Sequence, residues 1–457
     1  MSNHHPRLAV LAVVFLLMAL AGRLPAANTL TWHDQQDRVD ADVRDWDVPQ
    51  LLENVAAATG WHVYLDPGAK GSVSAKFAGV SQTQALRSLL GDLNFIILPQ
   101  SNGVSSLYVF RTSRAQATRL ITAPKKPAAP IPNELVVIMK PGAKGKIDDL
   151  ARALGAKVIG RMDAENAYLL QFDSADATQA AHDSLAANPD VATVDYNYPV
   201  DRPPVPSTST TDSPNLQLHP KPNDGNCPLI IGLIDTPVQP LNSDLAAFFN
   251  PAINVAGNPQ IPAGQLTHGT AMAETVLRAI QAKTGGNTSV KILPVNVFGN
   301  SETTSTWDIA NGVQQAVNNG ATILNMSLGS TGDSQVLRNV ISQATQLGIP
   351  IFAAAGNEPV TTPTYPAAYP GVTAVTASDS SGNIASYANR GGFVKMMAPG
   401  DNIVGYGGQN YLVEGTSTST AIVSGMAAGL ADAAHVCATQ ATGLLKTSTV
   451  QVPAPKP

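Results

Sequence analysis

The sequence predicts an α/β protein in which a doubly wound parallel sheet is preceded by two small α+β domains. Three observations carry this expectation. From about residue 220, continuous apolar runs (Leu229–Ile234, Val290–Val297, Ala321–Leu328, Ile349–Ala355, Val372–Thr376) alternate with helical patterns over 270–283, 305–318 and 334–347. Strands that are apolar throughout, separated by helices, indicate a parallel sheet covered on both faces. Two Pro-rich stretches, within 113–132 and 199–219, divide the remaining chain into compact segments, and such composition is that of extended linkers.

The 457 residues are enough for several domains. With 44% apolar and only 13% charged residues, the chain can build cores and is not of disordered type. A net charge of −5, with no long Lys/Arg run, gives no basis for nucleic-acid binding. Residues 1–27 place Arg7 before an apolar run from Leu8 to Ala21 and end in small residues. That pattern is a secretory signal peptide, too short for a spanning helix. The mature protein is therefore expected in the periplasm or outside the cell, meeting the membrane only through this segment before cleavage. Export permits a disulfide between Cys227 and Cys437; the alternative is two buried free thiols.

The first module, 40–112, begins with a helical face at Leu51, Leu52, Val55 and Ala56, ended by Gly60. Strands follow at 61–65 and 72–77, then a helix capped by Ser81 and a closing strand pair. The order resembles the short N-terminal domain of secretins and TonB-dependent receptors. That resemblance implies an interaction module with an envelope protein as partner. Residues 113–132 are expected to be a linker.

The second module, 133–198, has the order β-α-β-β-α-β, which suggests a ferredoxin-like domain. Its phrases Leu135-Val136-Val137, Lys140-Pro141-Gly142, Asn188-Pro189-Asp190-Val191 and Val194-Asp195-Tyr196-Asn197-Tyr198 resemble a subtilase propeptide. A second linker, 199–219, leads to the third module, 220–446, and the tail is 447–457.

The third module carries the chemistry. Asp235 ends the first strand, His268 starts a helix, Asn357 closes a strand, and Ser417 precedes a small-residue helix. A serine hydroxyl needs a base to take its proton, and imidazole titrates near neutrality. A carboxylate orients the imidazole. The oxyanion needs fixed donors, which the Asn357 amide and the Ser417 backbone N–H can supply.

These residues stand in Leu233-Ile234-Asp235-Thr236, His268-Gly269-Thr270, Asn325-Met326-Ser327-Leu328-Gly329, Ala354-Ala355-Gly356-Asn357, Met397-Ala398-Pro399-Gly400 and Gly415-Thr416-Ser417. Together they resemble the subtilisin-like serine proteases, whose triad runs Asp, His, Ser. The resemblance implies a subtilisin-like sheet and an exported serine endopeptidase that processes its own zymogen. Asp235, His268 and Ser417 would be catalytic and Asn357 the oxyanion donor. Ser327, Leu328 and Gly329 would pair with an extended protein or peptide substrate, and Ala355 and Gly356 would line its first specificity pocket. Ala421 stands where the family usually has proline, Ala271 where it often has a second histidine, and Pro237 where glycine is common. These departures keep open a catalytically weak or inactive periplasmic peptide-binding protein on the same scaffold. No cofactor is required for the chemistry. No metal ligand set is apparent, although the family often binds structural calcium.

Overall fold

The computed structural model describes residues 28–33, 37–99, 105–123, 127–143, 146–223, 227–261 and 264–446. The expected signal peptide and tail lie outside them. The chain divides into two compact units, up to Ala123 and from Pro124 onward.

In the first unit, β1 (Thr29–His33), β2 (Arg38–Asp47) and β4 (Ser72–Val80) form one antiparallel sheet. A second sheet has the order β5 (Asn94–Leu98), β6 (Ser106–Phe110), β3 (His62–Leu65), β7 (Arg119–Ile121). Helices α1 (Val48–Thr59) and α2 (Gln82–Leu90) bury Leu51, Leu52, Val55, Leu86 and Leu89 in their common core. Asp47 caps α1 by accepting from Gln50 N, and Ser81 and Gln84 form a capping box on α2. The unit extends beyond the predicted 40–112 at both ends. Residues 113–132 are not a plain linker, because Arg119–Ile121 pairs antiparallel with β3 and buries Ile121.

The second unit starts with a four-stranded sheet, β11 (Val191–Tyr196), β8 (Glu134–Met139), β10 (Ala167–Gln171), β9 (Lys157–Met162). With α3 (Ile147–Ala153) and α4 (Ala175–Ala186) this is the β-α-β-β-α-β arrangement. Strand β8 is apolar on both faces for a physical reason. Leu135, Val137 and Met139 pack with Ile147, Ala151 and Leu185, whereas Val136 and Ile138 join a core with Trp307, Val336 and Leu337 of the larger domain.

That larger domain is built on a seven-stranded sheet. Its order is β16 (Ile253–Asn254), β18 (Lys291–Asn296), β15 (Ile230–Asp235), β20 (Ile323–Met326), β21 (Ile351–Ala354), β22 (Val372–Ser378), β23 (Val394–Pro399). Every neighbouring pair is parallel. Helices α6 (Thr306–Asn318) and α7 (Gln335–Gln346) share one core cluster, and α5 (His268–Thr284) and α8 (Thr416–Ala433) another. The backbones of α5 and α8 approach closely: a Cβ on Gly425 would lie 2.5 Å from Val276 O. The rest of the domain includes β17 (Asn287–Thr288), β19 (Thr303–Ser305), the hairpin β24 (Asp401–Tyr406) and β25 (Gln409–Glu414), and α9 (Ala441–Lys446).

Residues 199–219 are not a free linker either. Strand β12 (Pro199–Asp201) pairs antiparallel with β19, β13 (Ser207–Ser209) antiparallel with β25, and β14 (His219–Pro220) parallel with β17. This stretch is therefore a strap laid over the larger domain. Its pairings use main-chain groups, which composition does not report.

Cys227 and Cys437 form a disulfide spanning 210 residues of chain, with a Cα–Cα distance of 5.2 Å. Closing so long a loop constrains the unfolded chain, by about 2–4 kcal/mol for a typical bridge. The double variant Cys227→Ser/Cys437→Ser should unfold roughly 5–15 °C lower in a thermal melt. An unchanged melting temperature would show that the bridge adds nothing to stability.

Candidate active site

Three elements aim their ends at one cleft. Asp235 closes β15 and is fully buried. His268 opens α5, whose N-cap Thr267 accepts from Thr270 N. Gly269 lets this helix start close to the strand end, because a Cβ there would lie 2.2 Å from Thr236 O. Ser417 stands in the first turn of α8.

The Asp235 Oδ1–His268 Nδ1 distance is 2.8 Å, and Thr236 N donates to the same oxygen at 2.6 Å. With His268 only 6% exposed, the imidazole is held in one orientation. The other carboxylate oxygen, Asp235 Oδ2, is buried without a hydrogen-bond partner. Ser417 Oγ donates to Ser327 O at 3.3 Å, and Ser327 Oγ donates to Ser417 O at 3.2 Å. Among the described residues no hydrogen bond joins Ser417 to His268. Both nevertheless line a cavity of about 140 Å³ with Asn357, Met272 and the strap residues Pro204, Val205, Pro206 and Ser207.

Asn357 is fixed through its carbonyl: Oδ1 accepts from Thr416 N at 2.8 Å. Its Nδ2 remains available to donate on the Ser417 side of the cleft. A fixed side-chain donor beside a helix N-terminus is an arrangement suited to a developing oxyanion.

A second cavity, of about 320 Å³, borders Ser417. Ser327, Leu328 and Gly329 form one wall, Ala354 and Gly356 another, and Thr364 and Asn389 lie behind. One expected site residue is placed otherwise. Ala355 is fully buried and is not part of this wall. Extended backbone alternates its sides, so Ala354 and Gly356 face the cavity while the Ala355 carbonyl accepts from Thr364 Oγ1 and Asn389 Nδ2, each at 2.8 Å. Gly356 has φ +107, and a Cβ there would lie 2.5 Å from Asn389 Nδ2.

Sequence reasoning missed Thr303–Ser305. In the structure this edge pairs with the chain's own extended strand β12. The run Thr303-Thr304-Ser305-Thr306, rich in β-branched residues, is the signal that could have marked it.

The sequence reading also missed two contacts between the small domain and the larger one. The N-cap of α7, Ser334, makes no side-chain capping bond, and Asp195 of the small domain supplies one by accepting from Gln335 N at 2.7 Å. Asn197 Oδ1 accepts from Trp307 N and Thr306 Oγ1 at the start of α6, each at 3.0 Å. Burial pushes the Asp195 carboxyl above the usual carboxylate range, against the lowering effect of its backbone hydrogen bonds. Burial does the same at Asp308, where Glu134 adds to the rise. Among the described residues no group of three or more His, Cys, Asp or Glu could hold a metal ion. No single described helix is long and apolar enough to cross a membrane.

A parallel α/β domain that gathers a buried acid–histidine pair, a serine at a helix N-terminus and a fixed amide donor is a scaffold of the serine-hydrolase class. Residues 228–451 match the model of the subtilase family, and residues 116–197 match that of the fervidolysin N-terminal prodomain. The chain is 33% identical over 207 residues to subtilisin Savinase of Lederbergia lenta, spanning 43% of this chain and 77% of that protein. It is 34% identical over 206 residues to thermitase of Thermoactinomyces vulgaris, spanning 44% and 74%. The chain belongs to the subtilase family. It spans about half (54%) of the M-protease of Shouchella clausii (strain KSM-K16), to which it is 33% identical over 207 residues, 43% of this chain. Its fold is shared with fervidolysin from Fervidobacterium pennivorans (TM-score 0.51, 20% identity, 67% of this chain and 55% of that one). The same fold occurs in an epidermin leader peptide processing serine protease from Staphylococcus aureus (TM-score 0.52, 17% identity, 69% and 92%).

Proposed function

We propose that the protein is an exported serine endopeptidase of subtilisin type, made as a zymogen that processes itself. The observation that carries this reading is the convergence of His268, Ser417 and Asn357 on one cavity, with Asp235 bonded to His268. Ser417 Oγ attacks the substrate carbonyl carbon, and its proton passes to His268. Asp235 holds the imidazole and stabilises its cation. Asn357 Nδ2 and the Ser417 N–H take the oxyanion charge. The C–N bond then breaks as His268 protonates the leaving nitrogen, and water attacks the acyl-enzyme by the same route in reverse.

Residues 133–198 assist folding and cover the cleft side in the latent form. Residues 1–27 direct export, consistent with a disulfide in the catalytic domain. The first unit meets an envelope protein partner, a reading that rests on its resemblance to short secretin and TonB-receptor domains. The test is intact mass over time for purified wild type and Ser417→Ala. The wild type should lose the segment up to the strap and then hydrolyse an unfolded protein, while the variant stays whole. Equal behaviour of the two chains would refute the reading.

The prodomain contacts give a further expectation. Asn197 is buried, and removing its side chain leaves Trp307 N unpaired, at a cost of about 1–3 kcal/mol. Asn197→Ala should therefore raise the activity of the latent full chain on a small ester roughly 5- to 100-fold. The pH dependence has a definite sign. Burial holds Asp195 and Asp308 raised in the docked form, and Asp333 and Glu134 across the contact add to the rise; where release exposes the two carboxyls, undocking gives up their protons. The prodomain is held more tightly as pH falls toward the ordinary carboxylate range, and it loosens as pH rises through the raised values. The lag before activity should shorten with rising pH, and Asp195→Asn should flatten that dependence. A lag with the same pH dependence in the variant would remove Asp195 from the account.

A further inference from the structure

The strap between prodomain and protease passes directly over the groups described above. Arg202 N donates to Glu302 O at 2.8 Å. Its guanidinium binds Ser301 O at 2.8 Å and Gly299 O at 3.0 Å, and lies 5.4 Å over the Phe298 ring. Asp201 to Pro204 then line the 320 Å³ cavity beside Ser417. Pro204 to Ser207 line the cavity that holds His268 and Ser417. Pro204 is common to both, so the chain crosses the nucleophile at or next to this residue. Beyond the crossing, β13 is pinned to β25.

The composition at this crossing is unusual for a bond meant to be cut. Of the five peptide bonds from Arg202 to Ser207, three precede proline: Arg202–Pro203, Pro203–Pro204 and Val205–Pro206. Acylation needs the Ser417 Oγ–C bond to form and the C–N bond to break, with the serine proton passing through His268 to the leaving nitrogen. At a bond before proline that nitrogen carries the ring Cδ in place of hydrogen, which crowds the approach of the imidazole. The other two bonds, Pro204–Val205 and Pro206–Ser207, have proline on the acyl side. There φ is fixed near −65° and no N–H remains to pair with a substrate edge. A proline-rich segment also holds an extended form in advance, so binding it costs little conformational entropy.

We infer that the prolines protect the crossing from self-cleavage. The cut that frees the protease falls instead in Ser207–Ser213, and a second molecule makes it. This rests on the endopeptidase reading above. Ser207–Ser213 contains no proline, and Thr210, Thr211 and Asp212 are exposed. Ser207 still lines the cavity beside Ser417, but past it the chain is held by β13, so the exposed Thr210–Asp212 stretch does not reach the Ser417 of its own chain without unpairing that strand. Residues 202–206 act as an uncut, substrate-like inhibitor, and maturation is intermolecular and self-accelerating.

The test maps cut sites and reaction order in three full-length chains: wild type, Ser417→Ala, and Pro203→Ala/Pro204→Ala/Pro206→Ala. N-termini are read by mass spectrometry after incubation at concentrations tenfold apart. The expected wild-type product begins within 208–214, and tenfold dilution slows its fractional rate about tenfold. A trace of processed wild type should cut Ser417→Ala within the same stretch. The triple variant should cut itself between residues 202 and 207 at a rate independent of dilution. Should that variant misfold, the cut in Ser417→Ala and the dilution series still decide. A wild-type N-terminus between 203 and 207, or a rate unaffected by dilution, would overturn the inference and leave the endopeptidase reading intact. No cut in any chain, with no hydrolysis of an unfolded protein after the prodomain is removed by another protease, would overturn both.

Discussion

Replacing Ser417 by alanine is expected to lower kcat/KM on an unfolded protein substrate by about 10⁴–10⁶, with the fold retained. The variant would be assayed after its prodomain is removed in trans. Alanine keeps the α8 N-terminus and its backbone N–H but removes the atom that forms the acyl bond. His268→Ala should cost a comparable factor. Its ring is buried and bonded to Asp235 at 2.8 Å, and among the described residues no other imidazole lines the cavity beside Ser417. The double variant should be no worse than either single one, because a nucleophile and its base act as a unit. Asp235→Asn should cost less, at about 10⁴, since an amide in this position favours the wrong imidazole tautomer. In the latent structure Ser417 Oγ donates to Ser327 O. Rotation of the serine toward His268 is thus a step that precedes its attack on a substrate carbonyl. Additive losses in the double variant would mean that Ser417 and His268 act separately.

Much of the catalytic domain was legible because its signals are local and chemically distinctive. Apolar runs ending in Asp235 and Asn357 are strands buried on both faces, and polar groups at their ends reach the cleft. Thr267 before His268 and Gly415 before Ser417 mark helix starts, which place both side chains at the same end of the sheet. The strap was not legible, because strands as short as Pro199–Asp201 and Ser207–Ser209 leave no alternating pattern. Their partners, Thr303–Ser305 and Asn410–Leu412, lie 100 or more residues away in sequence. Ala355 was misplaced for a different reason: in Ala353-Ala354-Ala355-Gly356 every residue is small, so composition does not say which ones face the cavity. Asp195 and Asn197 stood in a phrase recognised as propeptide-like. Their capping roles needed the spatial fact that α7 lacks a side-chain cap of its own.

Asn357 gives the second large effect. Asn357→Ala should lower kcat by about 10²–10³ and leave KM nearly unchanged, because its amide meets the charge only once the tetrahedral oxyanion forms. The geometry supports a donor role over a packing role. The side chain is exposed at the cleft, and its Oδ1 is already committed to Thr416 N at 2.8 Å. That bond orients the amide and leaves Nδ2 as the free hand. Gly415, at φ +141, completes the setting, since a Cβ there would lie 2.9 Å from Nδ2 and push the donor aside. Asn357→Asp separates the alternatives. Aspartate keeps the shape and the bond to Thr416, but it presents an oxygen where the oxyanion needs a hydrogen. If Asn357 works by donating, aspartate should be at least as damaging as alanine, through repulsion of the developing charge. If it only packs and orients Thr416, aspartate should retain most of the wild-type kcat, and the oxyanion role would pass to backbone N–H groups alone.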